Sequence, residues 1–534
     1  MWEIVYDHLY VYIGAYMFLA LALMLFTGLP VAIALGGVSV LFGFAAIQMG
    51  FLDFAVFYQV IQRIWGGDGA SGAVQNPILV AIPCFIFMGT MLEKSRVAED
   101  LLHVLQIMLR RVPGGLALAV TVMGTIMAAT TGIIGASVVM MTLLALPTML
   151  SRGYNPALAT GTIASSATLG ILIPPSIMLV LMANLLGVSV GNLFIGAILP
   201  GLVLAGLYFL YIITRCSINP SLAPLLPADA IQLNSTNRNN VFLYGLIVLA
   251  LIVVAWWLRS NAILPGFNWP LLAFLAVFVV SMLLGRREGN SLWGWILKGF
   301  MPPIFLIVMV LGSIFGGWAT PTEAAGVGAF GSMVLAAFNG TLNLKVLKSV
   351  VDRTTLTTAM IFFIFVGATA FSTIFRNVYG EDLIIEFIEW LHLGPWALLL
   401  LLMAVIFLLG FFFDFLEIIL IILPVFAPVI KVLAPEFASH LGMEQPQTVQ
   451  DTQFLQAQVI YWFAILVAVN LQTSFLTPPF GFALFYMKGV APSEVKMQDI
   501  YRGIIPFVML QLIGIAIVLM FPQLALWLPS LVLE

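Results

Sequence analysis

The stretch "TLGILIPPSIML" (residues 168–179) sets two adjacent prolines, Pro174 and Pro175, inside a long apolar run. A proline in a helix interior removes a backbone donor and clashes with the preceding turn. The flanking residues nonetheless have the composition of a membrane-spanning helix. Irregular backbone at membrane depth is tolerated only where it is buried in protein or lines a cavity. Whether this stretch is a simple kink or a built-in break decides the fold.

Composition sets the frame. The chain has 534 residues, of which 62% are hydrophobic and 8% charged. Its mean hydropathy is +1.13. A soluble chain carries roughly 25% charged residues, so the solvent for this surface is the lipid bilayer. The apolar segments far exceed the roughly 10-residue strands of a membrane barrel. The class is an all-α polytopic membrane protein. Cys84 and Cys216 fall in different segments and define neither a disulfide framework nor a thiolate site. The start "MWEIVYDHLY" lacks a basic region, so the first apolar segment is expected to be a retained span.

Plain spans are expected near residues 10–28, 30–50, 76–92, 193–213, 241–258, 269–285, 300–317, 322–339, 356–373 and 503–523. Four apolar stretches do not fit that pattern. Residues 114–150 hold no charge, and as one helix would reach ~55 Å, too long for a ~30 Å hydrocarbon core. Their middle, "ATTGIIGAS" (129–137), is small and hydroxylated. This predicts a re-entrant hairpin whose tip stops inside the membrane. Residues 397–431 repeat the argument, with Gly410, Asp414 and Glu417 in the middle. Residues 156–186 and 458–487 read as helices broken at "GILIPPS" and "SFLTPPFG".

These pieces recur in order. "FTGLPVAIALGG" (26–37) resembles "WATPTEAAGVGA" (318–329), and Pro174-Pro175 answers to Pro478-Pro479. The offset is about 290–305 residues throughout. The expected organisation is a first repeat (1–210), a connector with two transmembrane helices and a cytoplasmic loop (211–296), and a second repeat (297–534). Five crossings per half and two in the connector make the topology inverted. With the N-terminus outside, only Arg63, Arg259, Arg376 and Lys431 of the 20 lysines and arginines fall outside, a strong positive-inside bias.

Inverted repeats with broken helices mark secondary transporters. Broken helices offer loose carbonyls to a cation and half-helix N-termini to an anion. Two cation sites are therefore predicted, each between a hairpin tip and a broken helix, with the solute between them. Site 1 draws on Thr131, Gly132, Ser137, Ser165, Ser166, Thr168, Gly170 and Pro174. Site 2 draws on Gly410, Asp414, Glu417, Asn470, Thr473, Thr477 and Pro478. One such motif alone would read as a kink, with its hydroxyls bonded to the carbonyls four residues back. Two matched motifs, each with a polar cluster and a preceding hairpin, favour a site. Asp414 and Glu417, three apart, share a helix face, and either could instead cap a half-helix. Glu323 in "TPTEAAG" has the spacing of a helix cap with Thr320.

Other chemistry is not signalled. No P-loop and no His-Glu-x-x-His motif is present, and His8, His103, His392 and His440 are scattered. An enzyme is therefore not expected. The competing readings are a membrane-embedded enzyme, a proton-coupled organic anion transporter and a channel. Segment 51–75, with "WGGDGASG", is either a docking surface or an amphipathic connector.

At "GLPVAIALG" (28–36), "RGYNPALATGTIASSATLGILIPPSI" (152–177), "FGGWATPTEAAGVGA" (315–329) and "NLQTSFLTPPFG" (470–481), the chain resembles a known family nearly end to end. It is similar to the large permease subunit of tripartite ATP-independent periplasmic (TRAP) transporters of the C4-dicarboxylate type. The resemblance implies an elevator-type secondary transporter of the bacterial inner membrane, importing an organic acid with Na+ as coupling ion and no cofactor. It implies two partners, a small four-helix membrane subunit encoded separately and a soluble periplasmic substrate-binding protein. Both termini would be periplasmic, and no nucleic acid is involved. The family's first tip commonly ends in Ala-Asp and its second reads Met-Glu-Pro. Here they read "TTGIIGAS" (130–137) and "FFDFLE" (412–417), and Ser474 stands where glycine is usual. These departures point to a branch whose substrate differs from that of the best-known dicarboxylate systems.

Overall fold

The computed structural model describes residues 2–66, 72–131, 134–225, 238–260, 269–288, 291–390, 392–478 and 481–533. The prediction for Gly132 and the centre of the 51–75 loop lie outside these residues.

The chain opens with α1 (Trp2–Phe26), α2 (Val31–Gln48), α3 (Ala55–Trp65), α4 (Ala81–Lys94) and α5 (Val97–Met108). α6 (Gly115–Thr131) and α7 (Ile134–Ser151) follow with only two residues between them, then α8 (Pro156–Leu172) and α9 (Ile177–Leu186). α10 (Val190–Ile218) runs past the expected repeat boundary at 210. α11 (Arg238–Ser260) and α12 (Trp269–Glu288) form the connector. A short α13 (Leu292–Trp295) and a π-turn at Ile296–Phe300 lead into α14 (Met301–Phe315).

The second half holds α15 (Pro321–Phe338), the long α16 (Leu344–Asn377), α17 (Gly380–Trp390), α18 (Pro395–Leu409) and α19 (Phe415–Val432). It ends with α20 (Ala434–Leu441), α21 (Val449–Ser474), α22 (Phe482–Val490), α23 (Met497–Met520) and α24 (Gln523–Leu533). Among the described residues, nine helices are long and apolar enough to cross a membrane, or ten if the bent pair α8–α9 counts as one.

Both hairpins fold back on themselves. A Cβ added at Gly124 of α6 would lie 2.8 Å from Met141 of α7 and 2.7 Å from Ser166 of α8. Gly124 and Met141 stand equally far from the break, which is the signature of an antiparallel pair. The second hairpin is tracked by its contacts with α21. On the way in, Trp396 meets Trp462 edge to face, Asn470 donates to the Met403 carbonyl, and Gly410 abuts Ser474. On the way out, Phe415 packs on Phe475, and Gln456 donates to the Lys431 carbonyl.

The broken helices are the centre of the molecule. Every residue of α8 from Leu158 to Leu172 is buried, as is α21 from Val459 to Ser474. A helix apolar on all faces belongs in the core. The two halves interlock, with α7 packing on α22 and α19 on α9. At the exposed start of α15, Thr320 and Glu323 form the expected capping box: the Thr320 amide donates to Glu323 at 2.8 Å.

Candidate functional site

The double proline does break its helix. α8 stops at Leu172, α9 starts at Ile177, and the axis turns by 40°. Ile173 is extended (φ −82°, ψ 126°), as a residue preceding proline prefers. The Pro174-Pro175 peptide is cis. Ser176 then caps α9: its hydroxyl accepts from the Leu179 amide and donates to the Ile171 carbonyl across the break. α21 stops at Ser474 and α22 begins at Phe482, so the second break is wider.

In the first half, Ser165 donates to the Gly161 carbonyl at 2.7 Å and Thr168 to the Ser165 carbonyl at 2.9 Å. Ser166 reaches across to Thr121 of α6 at 3.2 Å. The hairpin therefore meets α8 along its shaft at Thr121 and Gly124. Ser137, Gly170 and Pro174 are buried. Thr131 ends α6. A network that the sequence did not reveal backs Thr168. Gln511 of α23 donates to the Tyr208 hydroxyl at 2.9 Å, and Tyr208 is hydrogen-bonded to Thr168. All three side chains are buried.

In the second half the predicted residues converge more tightly. Asn470 is tied to α18 through the Met403 carbonyl at 2.7 Å. Thr473 donates to the Asn470 carbonyl (2.6 Å) and Thr477 to the Thr473 carbonyl (2.7 Å). The hydroxyls thus spend their protons on backbone and keep their lone pairs. Ser474 Oγ and Gln472 Oε1 are buried with no hydrogen-bond partner. Such orphaned acceptors are costly unless something polar or charged satisfies them. Gly410 is packed against Ser474, whereas Pro478 is exposed.

Asp414 and Glu417 cap α19. Phe415 N donates to Asp414 at 2.8 Å, and Asp414 N donates to Glu417 at 3.2 Å. Both also line a cavity of about 270 Å³. Its other walls include Ile134 and Gly135 beside the first tip, Ile177 after the first break, Phe475 and Phe482 at the second break, Thr357, Met360, Ile361 and Ile364 of α16, and Tyr486. Ile134, Ile177, Phe415 and Phe482 are the first residues of α7, α9, α19 and α22. Four helix N-termini thus converge on one cavity, and such ends favour negative charge. The α19 end is the one that carries its own carboxylates. Thr357 and Tyr486 gave no signal in the sequence, because α16 and α22 reach the cavity only through tertiary packing.

An all-helical membrane protein with two hairpins and two broken helices around one cavity is a secondary transporter by architecture. The comparisons narrow this class. Residues 18–524 match the model of the "Tripartite ATP-independent periplasmic transporter, DctM component", and the chain belongs to that family. It is therefore a transporter permease subunit and not an enzyme. It is 25% identical to the C4-dicarboxylate TRAP transporter large permease protein DctM of Vibrio cholerae, covering 97% of this chain and 98% of that one. It is 24% identical to the ectoine TRAP large permease protein TeaC of Halomonas elongata (95% and 97%). It is also 24% identical to the sialic acid TRAP large permease protein SiaM of Vibrio cholerae (96% and 97%). Among solved structures, the YdaH transporter of Alcanivorax borkumensis shares the fold, with a TM-score of 0.53 and 15% identity over 89% of this chain and 90% of that one.

Proposed function

We propose that this chain is the sodium-coupled permease of a binding-protein-dependent importer, passing an organic acid through the cavity between the two hairpin tips. It works in the inner membrane with a small four-helix subunit and a periplasmic binding protein, both termini periplasmic. The observation that carries the reading is the convergence of four half-helix N-termini on one cavity. The α22 end carries no side-chain cap and is free to hold a carboxylate. Sodium would lie beside each broken helix, at Ser165, Ser166 and Thr168 in the first half and at Asn470, Thr473 and Thr477 in the second. The unpartnered Ser474 and Gln472 oxygens supply acceptors that a cation satisfies and an apolar core does not. Sodium binding orders the breaks and favours one access state over the other, a population shift that an elevator movement would convert to transport.

The test is uptake into proteoliposomes holding the permease and its small subunit, with binding protein supplied outside. Accumulation requires an inward sodium gradient. Equal accumulation on a proton gradient without sodium rejects the sodium reading. Thr168→Ala raises the sodium concentration for half-maximal uptake by about 5- to 20-fold, roughly 1–2 kcal/mol of lost ion binding. Its expression and melting temperature stay near wild type. An unchanged sodium response means that the break at Pro174 is only a kink.

A further inference from the structure

The buried bridge from Gln511 through Tyr208 to Thr168 has a direction, and its consequence rests on Thr168 serving a cation at the first break. The Gln511 amide nitrogen can only donate, and it donates to the Tyr208 hydroxyl at 2.9 Å. The Thr168 hydroxyl gives its single proton to the Ser165 carbonyl at 2.9 Å. The bond between Tyr208 and Thr168 must therefore carry the Tyr208 proton. The protons point one way, from Gln511 through Tyr208 and Thr168 to the Ser165 carbonyl. Thr168 Oγ1 is left with one lone pair, and its two hydrogen bonds fix where that lone pair points. Hydrogen bonds in such a chain polarise and strengthen one another.

Stability alone does not explain Gln511. Its Oε1 is buried with no hydrogen-bond partner, and an orphaned acceptor in a core is destabilising. A leucine would fill similar space without that cost. What the glutamine adds is a donor aimed at Tyr208. The two residues are 303 positions apart, within the offset of about 290–305 at which the sequence repeats. Corresponding positions of α10 and α23 thus meet in one bond. Because one is a tyrosine and the other a glutamine, that bond is directed at the first break alone. We propose that Gln511 and Tyr208 are positioning residues for the first cation. They hold the Thr168 oxygen in the orientation that receives the ion, so the second half of the chain sets the ion affinity of the first.

The experiment measures initial uptake against sodium concentration in the complete proteoliposome system, with the melting temperature of each purified full-length variant beside it. Tyr208→Phe is expected to raise the half-saturating sodium concentration by about 3- to 10-fold and Gln511→Leu by about 2- to 5-fold. The maximal rate at saturating sodium stays within about 2-fold of wild type, since only ion affinity is altered. Gln511→Leu also removes the orphaned oxygen, so its melting temperature holds or rises while sodium affinity falls, a split that a merely structural residue would not show. In a Thr168→Ala background, Tyr208→Phe is expected to change the sodium requirement no further, because its effect passes through the Thr168 oxygen. The same fold-change in both backgrounds overturns the inference. So does a lowered melting temperature in Gln511→Leu with unchanged sodium dependence. Wild-type sodium dependence in Tyr208→Phe and Gln511→Leu, with Thr168→Ala impaired, overturns it while leaving the first cation site standing. Wild-type dependence in all three variants rejects that site and this inference with it.

Discussion

Gly410→Ala is expected to cut uptake by about 10- to 100-fold while leaving the protein in the membrane. Gly410 has φ −60° and ψ −15°, a conformation open to any residue, so the cost is one of space alone. A Cβ there would overlap Ser474 Oγ and lie 2.6 Å from Ser474 Cβ and 2.9 Å from Ser474 Cα. The hydroxyl could rotate away, but the Cα could not. The tip must back off from the broken helix, at a cost of ~1–3 kcal/mol for overpacking. That displacement falls between Asn470 and Thr477, where the second cation site is proposed. The remedy is specific. Ser474→Gly removes two of the three colliding atoms and should restore a large part of the uptake lost in Gly410→Ala. Initial uptake rates at saturating sodium, normalised to permease in the membrane, give the readout. Wild-type uptake by Gly410→Ala would show that the tip does not need to touch the broken helix.

The hairpins and breaks were legible in the sequence because membrane thickness turns length into geometry. Residues 114–150 and 397–431 are too long for one crossing and have no polar loop for two, so each must fold back, and each does. The prolines were legible because a missing amide has a fixed consequence. The candidate site was legible only where it is local. The Thr168, Thr473 and Thr477 positions followed from their place just before the breaks. The sequence left Asp414 and Glu417 open between capping and function, and their spacing could not separate the two. In the structure they cap α19 and face the cavity at once. Tyr486 and Thr357 were invisible, since nothing in α22 or α16 announces which residue meets a tip from the other half. The same holds for Gln511 and Tyr208, which lie some 300 positions apart but share a hydrogen bond. The tight approach of Gly410 to Ser474 also escaped, although glycine and serine at matched depths of two elements are what a close contact requires.

Gly161→Val carries the largest expected cost to folding. α8 and α23 cross at two glycines that face each other. A Cβ on Gly161 would overlap the Gly503 carbonyl oxygen and lie 2.5 Å from its carbon and 3.0 Å from Gly503 Cα. A Cβ on Gly503 would overlap the Ala157 carbonyl oxygen and lie 2.9 Å from Gly161 N. Every one of these is a backbone atom, so no rotamer relieves the clash. Membrane helices gain little from hydrophobic contact with one another and depend on such close packing at small residues. Valine forces the axes apart along the most buried helix of the first half. A loss of ~3 kcal/mol or more is expected, seen as a melting temperature lowered by several degrees and a falling monodisperse fraction. Gly206→Ala is the matched control. It lies within α10, its added Cβ meets nothing within 4 Å, and its stability should change by ~1 kcal/mol or less. The functional consequence follows from the same crossing. α23 brings Gln511 to Tyr208, and Tyr208 is bonded to Thr168 on α8. Splaying α23 from α8 therefore pulls that support from the first break. The milder Gly161→Ala, if it folds, should raise the sodium requirement before it abolishes uptake. A variant that loses stability yet keeps the wild-type sodium response would separate the packing of α8 from the first cation site.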